Sequence, residues 1–329
     1  MSSEKGWMIL ITLVVGNGFD LEHGLPTQYK DFLKFLGVLK KLKGITSLSG
    51  YKDDVDLGSK FKDLATSDGL NAELVNVATE WICEDVNASM EFMLSVEANE
   101  WVGYFQTIYE ENKIRGERWI DFENEISKVV KRLEEETHFL VKEKEFFYKN
   151  GLIKEFMKKR NNYTVGYKSK FVERLVKEMD DFTSFLEKYI SLIEKIKLNH
   201  TSYDIEDISI KVDNLISFNY TDTFRRKYSK SVNVDFVHGK VNENNMILGT
   251  EETIENKDEI SKKLLCIRFK KYFQRIYKRT GLEYKRFLSK MEKGKNIAYF
   301  FGHSLSINDG DIIKLKLRTN ETGQHLCAV

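Results

Sequence analysis

Residues Met8–Val15 read MILITLVV and lead directly into Gly16-Asn17-Gly18-Phe19-Asp20. A continuous apolar, β-branched run that ends in glycine is typical of a strand buried on both faces of a parallel sheet. The two glycines predict a tight turn directly after that strand. This stretch therefore predicts an α/β protein rather than an all-helical one.

The rest of the chain separates into a long helical part and a few late strand signals. Residues 27–212 show helical spacings of apolar residues almost throughout. Short apolar or alternating runs, which predict strands, then appear at Leu215–Phe218, Val232–Val237, Met246–Leu248 and Ile297–Phe301. These signals predict one discontinuous α/β domain, residues 1–26 plus 213–329, interrupted by an all-helical insertion, residues 27–212.

The composition excludes several classes of protein. The chain has 329 residues and a net charge of +1, so it can bury a large core and has no overall attraction to nucleic acid. Cys83, Cys266 and Cys327 lie far apart, which argues against a disulfide scaffold and a structural zinc site. The apolar run Trp7–Val15 is about half as long as the roughly 20 residues that a transmembrane helix needs. We expect a cytoplasmic protein with no membrane anchor and no bound metal.

The glycine-rich turn after the first strand is a candidate nucleotide site. Glycines there let backbone N–H groups approach a phosphate, although the same residues also suit a sharp turn that binds nothing. The next glycine comes too late for the dinucleotide fingerprint G-x-G-x-x-G. The chain's only proline follows shortly, and its fixed φ would help to set the path of the loop. The candidate contacts are Gly16, Asn17, Gly18, Phe19, Asp20 and Pro26.

Three further polar motifs follow predicted strands. They are SFNYTD (217–222), HG (238–239) and FGHS (301–304), and each of them could also be an ordinary turn or surface loop. Because carboxyl ends of parallel strands face the ligand crevice, we predict that the motifs converge there. The last motif begins like the G-x-S-x-G motif of serine hydrolases but lacks its second glycine. A contact with ribose or phosphate therefore suits Ser304 better than the role of a nucleophile. The candidate residues are Asn219, Asp222, His238, Gly302, His303, Ser304 and Asp309.

Three other features have structural and functional interpretations. Asp121 suits a helix N-cap with Glu123 in the first turn, and less well a catalytic acid. The basic aromatic stretch Arg268–Arg279 predicts an amphipathic helix with Phe269, Phe273 and Ile276 on one face, or else a nucleic-acid contact or a phosphate-binding wall. An apolar seam with alternating steps of four and three residues predicts an intramolecular helix contact in preference to a dimeric coiled coil. Its residues are Leu175, Met179, Phe182, Leu186, Tyr189, Ile193 and Ile196.

Taken in order, these motifs resemble the AbiH-like family of bacterial phage abortive-infection proteins. The resemblance rests on GNGFDLEHGLP, WIDFE, SFNYTD, the HG pair, FKKYFQRI and FGHSLSINDGD, and it spans nearly the whole chain. It implies a role in phage defence. It also leads us to expect that relatives continue with further α/β structure where this chain ends in RTNETGQHLCAV.

The spacing G-N-G-x-x-x-x-x-G-L-P is also similar to the sirtuin opening G-A-G-x-x-x-x-x-G-I-P, and the later N-Y and H-G pairs resemble sirtuin motifs. This second likeness implies a sirtuin-like, Rossmann-type parallel sheet that binds NAD. Gly16 and Gly18 would approach the pyrophosphate, Asn219 would hold the nicotinamide ribose or the attacking water, and His238 would act as base. The zinc-ribbon cysteines are missing, and Asp20 stands where sirtuins carry serine, so its carboxylate would repel a phosphate.

The hypothesis from sequence is thus a phage-defence effector that binds and hydrolyses NAD or a related nucleotide. The helical insertion would serve as lid, sensor or oligomer interface. One alternative is a non-catalytic nucleotide-binding switch that recognises a phage component or a partner protein. The other, a nuclease or RNA-binding toxin that uses Asp121, Glu123 and the basic stretch, ranks last because these carboxylates lack a metal-ligand set.

Overall fold

The structure, a computed structural model, describes residues 10–48, 56–135, 165–198, 211–250, 264–281, 283, 296–303 and 325–328. The chain forms two compact units. The α/β unit comprises residues 1–25, 197–247 and 274–329, and the helical unit comprises residues 26–196 and 248–273. The helical unit therefore includes residues 248–273, which lie outside the insertion predicted from the sequence.

The strands of the α/β unit are β1 (Leu10–Val15), β2 (Asn214–Ser217), β3 (Asn233–Phe236), β4 (Asn296–Phe301) and β5 (His325–Ala328). They form one sheet in the order β3-β2-β1-β4-β5, and every neighbouring pair is parallel. The chain first adds strands on one side of β1 and then crosses to the other side. The predicted α/β class with a parallel sheet is confirmed.

The sheet buries apolar side chains on both faces. Successive side chains of a strand point to opposite faces, so an unbroken apolar run such as β1 supplies both. One face carries the buried cluster Leu13, Val15, Phe19, Leu215, Phe224 and Val232. The other face carries the buried cluster Val14, Ile216, Phe218 and Val237.

The helices are α1 (Asn17–Glu22), α2 (Tyr29–Leu48), α3 (Leu57–Ser67), α4 (Ala72–Glu84), α5 (Val86–Ala98), α6 (Glu100–Ile114), α7 (Phe122–Glu135), α8 (Val165–Ile193), α9 (Thr223–Lys227) and α10 (Lys271–Lys278), with a 3-10 turn at Ile267–Phe269. Helices α2 to α8 belong to the helical unit. Within the described ranges, no helix is both long and apolar enough to cross a membrane.

Helices α3 to α7 share one start signal. A side-chain oxygen of the preceding Asp or Asn accepts a hydrogen bond from the backbone N–H three residues later, and such a cap stabilises a helix by about 1 kcal/mol. The capping residues are Asp56, Asn71, Asp85, Asn99 and Asp121. The predicted N-cap role of Asp121 is therefore confirmed.

The predicted apolar seam is buried, and six of its residues lie on α8, whereas Ile196 follows the end of the helix. Its seven residues, from Leu175 to Ile196, are all at most 3% exposed. Phe182, near the middle of the seam, packs against Phe32, Phe105 and Phe122. The seam is thus an intramolecular contact of the helical unit, and it is not available as a dimeric coiled coil.

Among the residues that the structure describes, one predicted strand is absent, and one observed strand was not predicted. Met246–Leu248 is irregular, and its apolar signal reflects burial in a loop, where the Ile247 N–H donates to the His238 carbonyl at 2.9 Å. Strand β5 has no counterpart among the predictions, because it has only four residues and follows a polar segment. It pairs with β4 from Ile297 to Phe300.

Candidate functional site

Four strands end at one edge of the sheet, in register. Val15, at the end of β1, pairs with Ser217 of β2 and with Phe301 of β4, and Ser217 pairs with Phe236 of β3. The predicted motifs follow these residues, so all of them leave the sheet at the same carboxyl edge. In open α/β sheets, ligands bind at this edge where the strand order reverses. We take it as the candidate site and call it the carboxyl edge.

The glycine turn after β1 packs directly on the loop after β4. The N–H of Gly16 donates to the Phe301 carbonyl at 3.0 Å, and the N–H of Gly18 donates to the Gly302 carbonyl at 2.9 Å. A Cβ on Gly16 would lie 2.7 Å from the Gly302 oxygen, and one on Gly18 would lie 2.6 Å from the Gly302 Cα. The glycines therefore let two backbones meet. We predicted that their N–H groups would contact a pyrophosphate, but these groups already donate hydrogen bonds to backbone carbonyls.

Asp20 points into the α/β unit and is 1% exposed. Its Oδ1 accepts a hydrogen bond from the Thr223 hydroxyl at 2.6 Å, and its Oδ2 accepts one from the Thr221 hydroxyl at 2.7 Å. Two neutral donors thus hold the carboxylate, which ties α1 to the loop after β2. The neighbouring Phe19 is a core residue that packs edge-on against Phe301, whereas Asn17 is exposed.

Asn219 joins the loop after β2 to the glycine turn. Its Nδ2 donates to the Gly16 carbonyl at 2.9 Å, and the residue is 6% exposed. Its backbone N–H is held by the Ser217 hydroxyl at 3.2 Å. The two predicted motifs, 203 residues apart in the chain, therefore touch through a buried side chain.

Asp222 lies between two cations. The Arg225 guanidinium contacts both carboxylate oxygens at 2.8 to 3.0 Å, and Lys240 Nζ lies 3.0 Å from Oδ2. The hydrogen bond to Asp222 raises the pKa of Arg225. Glu243 lies farther from Lys240, at 3.8 Å. The carboxylate predicted to contact a nucleotide is thus bound to side chains of the protein itself.

The loops after β2, β3 and β4 meet around Phe218. Its ring lies 5.5 Å from the ring of His238 and 4.2 Å from the ring of His303, measured between centroids. His238 is 5% exposed. Gly239 has φ 83°, and a Cβ there would lie 2.6 Å from the carbonyl carbon of Asn245, so only glycine fits after the histidine.

A small hollow at the carboxyl edge is lined by both polar and apolar side chains. Its volume is about 190 Å³ including the space open to solvent, below the roughly 300 to 1,000 Å³ of pockets that enclose drug-sized ligands. The polar lining residues are Asp20, Ser217, Asn219, Thr221, Asp222 and Thr223. The hollow as it stands is therefore too small to enclose a nucleotide.

The three remaining candidate residues are Pro26, Ser304 and Asp309. Pro26 belongs to the helical unit, where its carbonyl accepts a hydrogen bond from the Tyr189 hydroxyl at 2.7 Å. Its role in the structure is to anchor α8, because the tyrosine is fully buried and needs an acceptor. Ser304 and Asp309 lie outside the described residues.

His23 is a buried residue that the sequence analysis missed. Its Nδ1 lies 2.6 Å from the Phe19 carbonyl and its Nε2 lies 2.8 Å from the Tyr228 hydroxyl. With Nδ1–H donating to the carbonyl, Nε2 accepts from the tyrosine. Burial lowers the pKa of His23, so the neutral ring is the stable form. The available signal was its position four residues after Phe19, on one face of a helix.

The acids of the WIDFE motif have structural partners. Asp121 caps α7, and the Glu123 carboxylate lies 2.7 Å from Lys271 Nζ. Lys270 pairs with Glu134 at 3.0 Å in the same way. In the described part of the chain, no group of three or more His, Cys, Asp or Glu could hold a metal ion.

The basic aromatic stretch forms a helix, α10, as predicted, but the apolar residues of the predicted face are only partly buried. Phe269 is buried, but Ile276 is 54% exposed and Tyr272 58% exposed, whereas Lys271 is 1% exposed. Lys271 pairs with Glu123, and Arg275 one turn later is also buried, so basic residues occupy the interior side of α10. Apolar spacing alone could not predict this, because the acids belong to another helix.

One comparison with known proteins identifies relatives. The model of the family described as bacteriophage abortive infection AbiH matches residues 12–320. No curated protein and no solved structure matches the chain significantly.

Proposed function

The chain belongs to the AbiH family, which suggests a role in phage abortive infection, and we propose that it acts there by binding and hydrolysing NAD or a related nucleotide at the carboxyl edge. The observation that carries the proposal is the contact of Asn219 Nδ2 with the Gly16 carbonyl at 2.9 Å, which joins two predicted nucleotide motifs at one edge. The strand order β3-β2-β1-β4-β5 supports a Rossmann-type, sirtuin-like core, because such folds bind nucleotides where the order reverses.

The proposed reaction breaks the bond between the ribose C1′ of NAD and the nicotinamide nitrogen. Water attacks C1′, nicotinamide leaves, and His238 accepts the proton that the water loses. Asn219 holds the water or the ribose through Oδ1, because its Nδ2 is donated to Gly16. The products are nicotinamide and ADP-ribose. His238 suits this role by its position beside Phe218, in the loop that follows β3.

The second candidate is a nucleotide-binding switch without turnover, in which the helical unit recognises a phage component or a partner protein. The small hollow and the donated N–H groups of Gly16 and Gly18 favour it. The nuclease alternative loses support, because Asp121 caps a helix and Glu123 pairs with Lys271.

The test uses the purified full chain with NAD, alone and with lysate from phage-infected cells, and follows nicotinamide release by chromatography. We expect release by the wild type and a loss of about a hundredfold or more in His238→Ala, since a general base contributes that much. Asn219→Ala should lose activity as well. The same variants should also lose protection against phage in plaque assays.

Asn214→Ala is the matched control. Asn214 is equally buried, at 3% exposure, but it lies at the amino end of β2, away from the carboxyl edge. This variant should hydrolyse NAD like the wild type. If the wild type releases no nicotinamide under either condition but binds NAD saturably, the switch is the correct function. If it neither binds nor hydrolyses NAD, both candidates are wrong.

A further inference from the structure

The carboxyl edge needs a source of positive charge if it is to bind a phosphate. Gly16 and Gly18 do not supply donors, because both N–H groups are donated to carbonyls of the loop after β4. Asp20 faces two threonine hydroxyls in the interior. Two cations instead bind Asp222, which is one of the residues that line the hollow.

Arg225 and Lys240 converge on the same oxygen atom of Asp222. Arg225 Nη2 lies 2.8 Å and Lys240 Nζ lies 3.0 Å from Oδ2. The side chains are partly exposed, 30% for Arg225 and 21% for Lys240, so solvent and small ligands can reach them. Two carboxylates, Asp222 and the more distant Glu243 at 3.8 Å from Lys240, balance the two cations, so the pair presents positive charge only where a ligand displaces Asp222.

An aromatic ring supports both cations. Each charged group lies 5.6 Å from the ring centroid of Phe236, which ends β3 and also lines the hollow. The attraction between a cation and the face of an aromatic ring helps to hold both side chains at this position. The ring therefore gives the two cations a contact that does not depend on Asp222.

Backbone geometry fixes the position of Lys240. The lysine follows Gly239, whose φ of 83° and close approach to Asn245 admit only glycine. The Lys240 N–H donates to Asn245 Oδ1 at 2.8 Å, and the Val241 N–H donates to the Tyr220 carbonyl at 3.0 Å. The HG motif thus directs a lysine from the loop after β3 towards the loop after β2.

Asp222 has the position of a helix N-cap, but it does not cap. It precedes α9, yet its side chain makes no capping hydrogen bond. An aspartate at this position ordinarily accepts from a backbone N–H of the first helical turn. Here its carboxylate is bound by Arg225 and Lys240, so neutralising it does not remove a cap.

We propose that Arg225 and Lys240 form the phosphate-binding pair of the carboxyl edge and that Asp222 occupies this pair when no ligand is bound. The proposal rests on the proposed function, since it assigns the phosphate subsite of the nucleotide. A guanidinium binds a carboxylate and a phosphate with the same bidentate geometry, so a phosphate can take the place of Asp222. The pyrophosphate of a nucleotide carries more negative charge than the carboxylate that it displaces.

The test measures binding of inorganic pyrophosphate and of ADP-ribose to the full chain by isothermal titration calorimetry. Arg225→Gln and Lys240→Gln should each weaken pyrophosphate binding by about tenfold or more, because each removes a charged hydrogen bond. Asp222→Asn should strengthen it, because the competing anion is gone. If Asp222 instead contacted the ligand directly, as the sequence analysis predicted, Asp222→Asn would weaken pyrophosphate binding.

Asp180→Asn is the matched control, since Asp180 also pairs with an arginine, Arg268, at 3.0 Å but in the helical unit. It should leave pyrophosphate affinity unchanged, and circular dichroism and thermal unfolding should show that each variant is folded. The proposal is overturned if folded Asp222→Asn binds pyrophosphate no more tightly than the wild type.

The two proposals fail in different ways. If Asp222→Asn tightens pyrophosphate binding but no variant binds or cleaves NAD, the phosphate subsite stands and the NAD function fails. If the wild type cleaves NAD and all three substitutions leave pyrophosphate affinity unchanged, the function stands and the subsite is wrong. Competition between pyrophosphate and ADP-ribose tells whether the subsite takes the phosphates of a nucleotide or only the free anion.

Discussion

Gly302→Ala tests the backbone contact on which the carboxyl edge depends. Gly302 has φ 62°, a conformation that costs a residue with a Cβ about 1 to 2 kcal/mol. The added Cβ would also lie 2.6 Å from the Gly18 Cα, within backbone that cannot move aside easily. Such overpacking typically costs about 1 to 3 kcal/mol. We therefore expect the substitution to destabilise this part of the α/β unit by about 2 to 5 kcal/mol.

Gly69→Ala separates the two contributions. Gly69 has nearly the same φ, 68°, but no atom lies within 4 Å of its added Cβ. Gly69→Ala should therefore lower the local stability only by the cost of the backbone conformation, about 1 to 2 kcal/mol. Hydrogen exchange with mass spectrometry measures both locally, in peptides covering β1 and β4 for Gly302 and in peptides covering α3 and α4 for Gly69. An equal loss of local stability in the two variants would show that the glycine turn and the loop after β4 are not in close backbone contact.

Two further substitutions test buried charged or titratable groups. Burial, followed by the charge of Lys227, keeps the pKa of His23 below its ordinary 6.5 in the folded protein. Below pH 6.5 the unfolded chain therefore binds more protons than the folded one. The free energy of unfolding has its full value above pH 6.5 and falls as the pH drops towards the folded pKa, by up to about 1.4 kcal/mol per pH unit. Urea unfolding from about pH 8 to about pH 5 should show a shallower decline in His23→Gln, and equal slopes in both proteins would contradict the buried neutral ring. Lys271→Met removes the lysine that pairs with the Glu123 carboxylate, and it should lower the free energy of unfolding by about 3 to 5 kcal/mol. Adding Glu123→Gln should restore part of this stability. If thermal unfolding shows no restoration, the two residues are not coupled.

Much of the fold could be predicted from local patterns. The apolar run of β1 indicates a strand buried on both faces, and the spacing on α8 indicates a buried seam, because periodicity reports directly which side chains leave water. The N-cap at Asp121 follows from the chemistry of a single side chain and the next three residues. Strand ends β1 to β4 could be located to within one or two residues, since glycine and polar residues end each apolar run.

The candidate site was predictable only in part. That Asn219, His238 and the glycine turn lie at one edge follows from parallel strands, whose carboxyl ends share an edge. The contacts of each side chain do not follow. Asp222 binds Lys240 from another loop, and Pro26 belongs to the packing of α8 through Tyr189, 163 residues away. The strand at β5 was missed because it is short and contributes no clear pattern of its own.

The sequence by itself determined strands β1 to β4 and the helical segment between β1 and β2, because hydrophobic spacing and capping act over a few residues. Only the tertiary structure decided what the glycines and charges do. The N–H groups of Gly16 and Gly18 donate to the carbonyls of Phe301 and Gly302, and Lys271 is buried against Glu123 of another helix. The physical reason is that a missing Cβ or a charge acquires its role from its partner, and these partners lie far away in the chain.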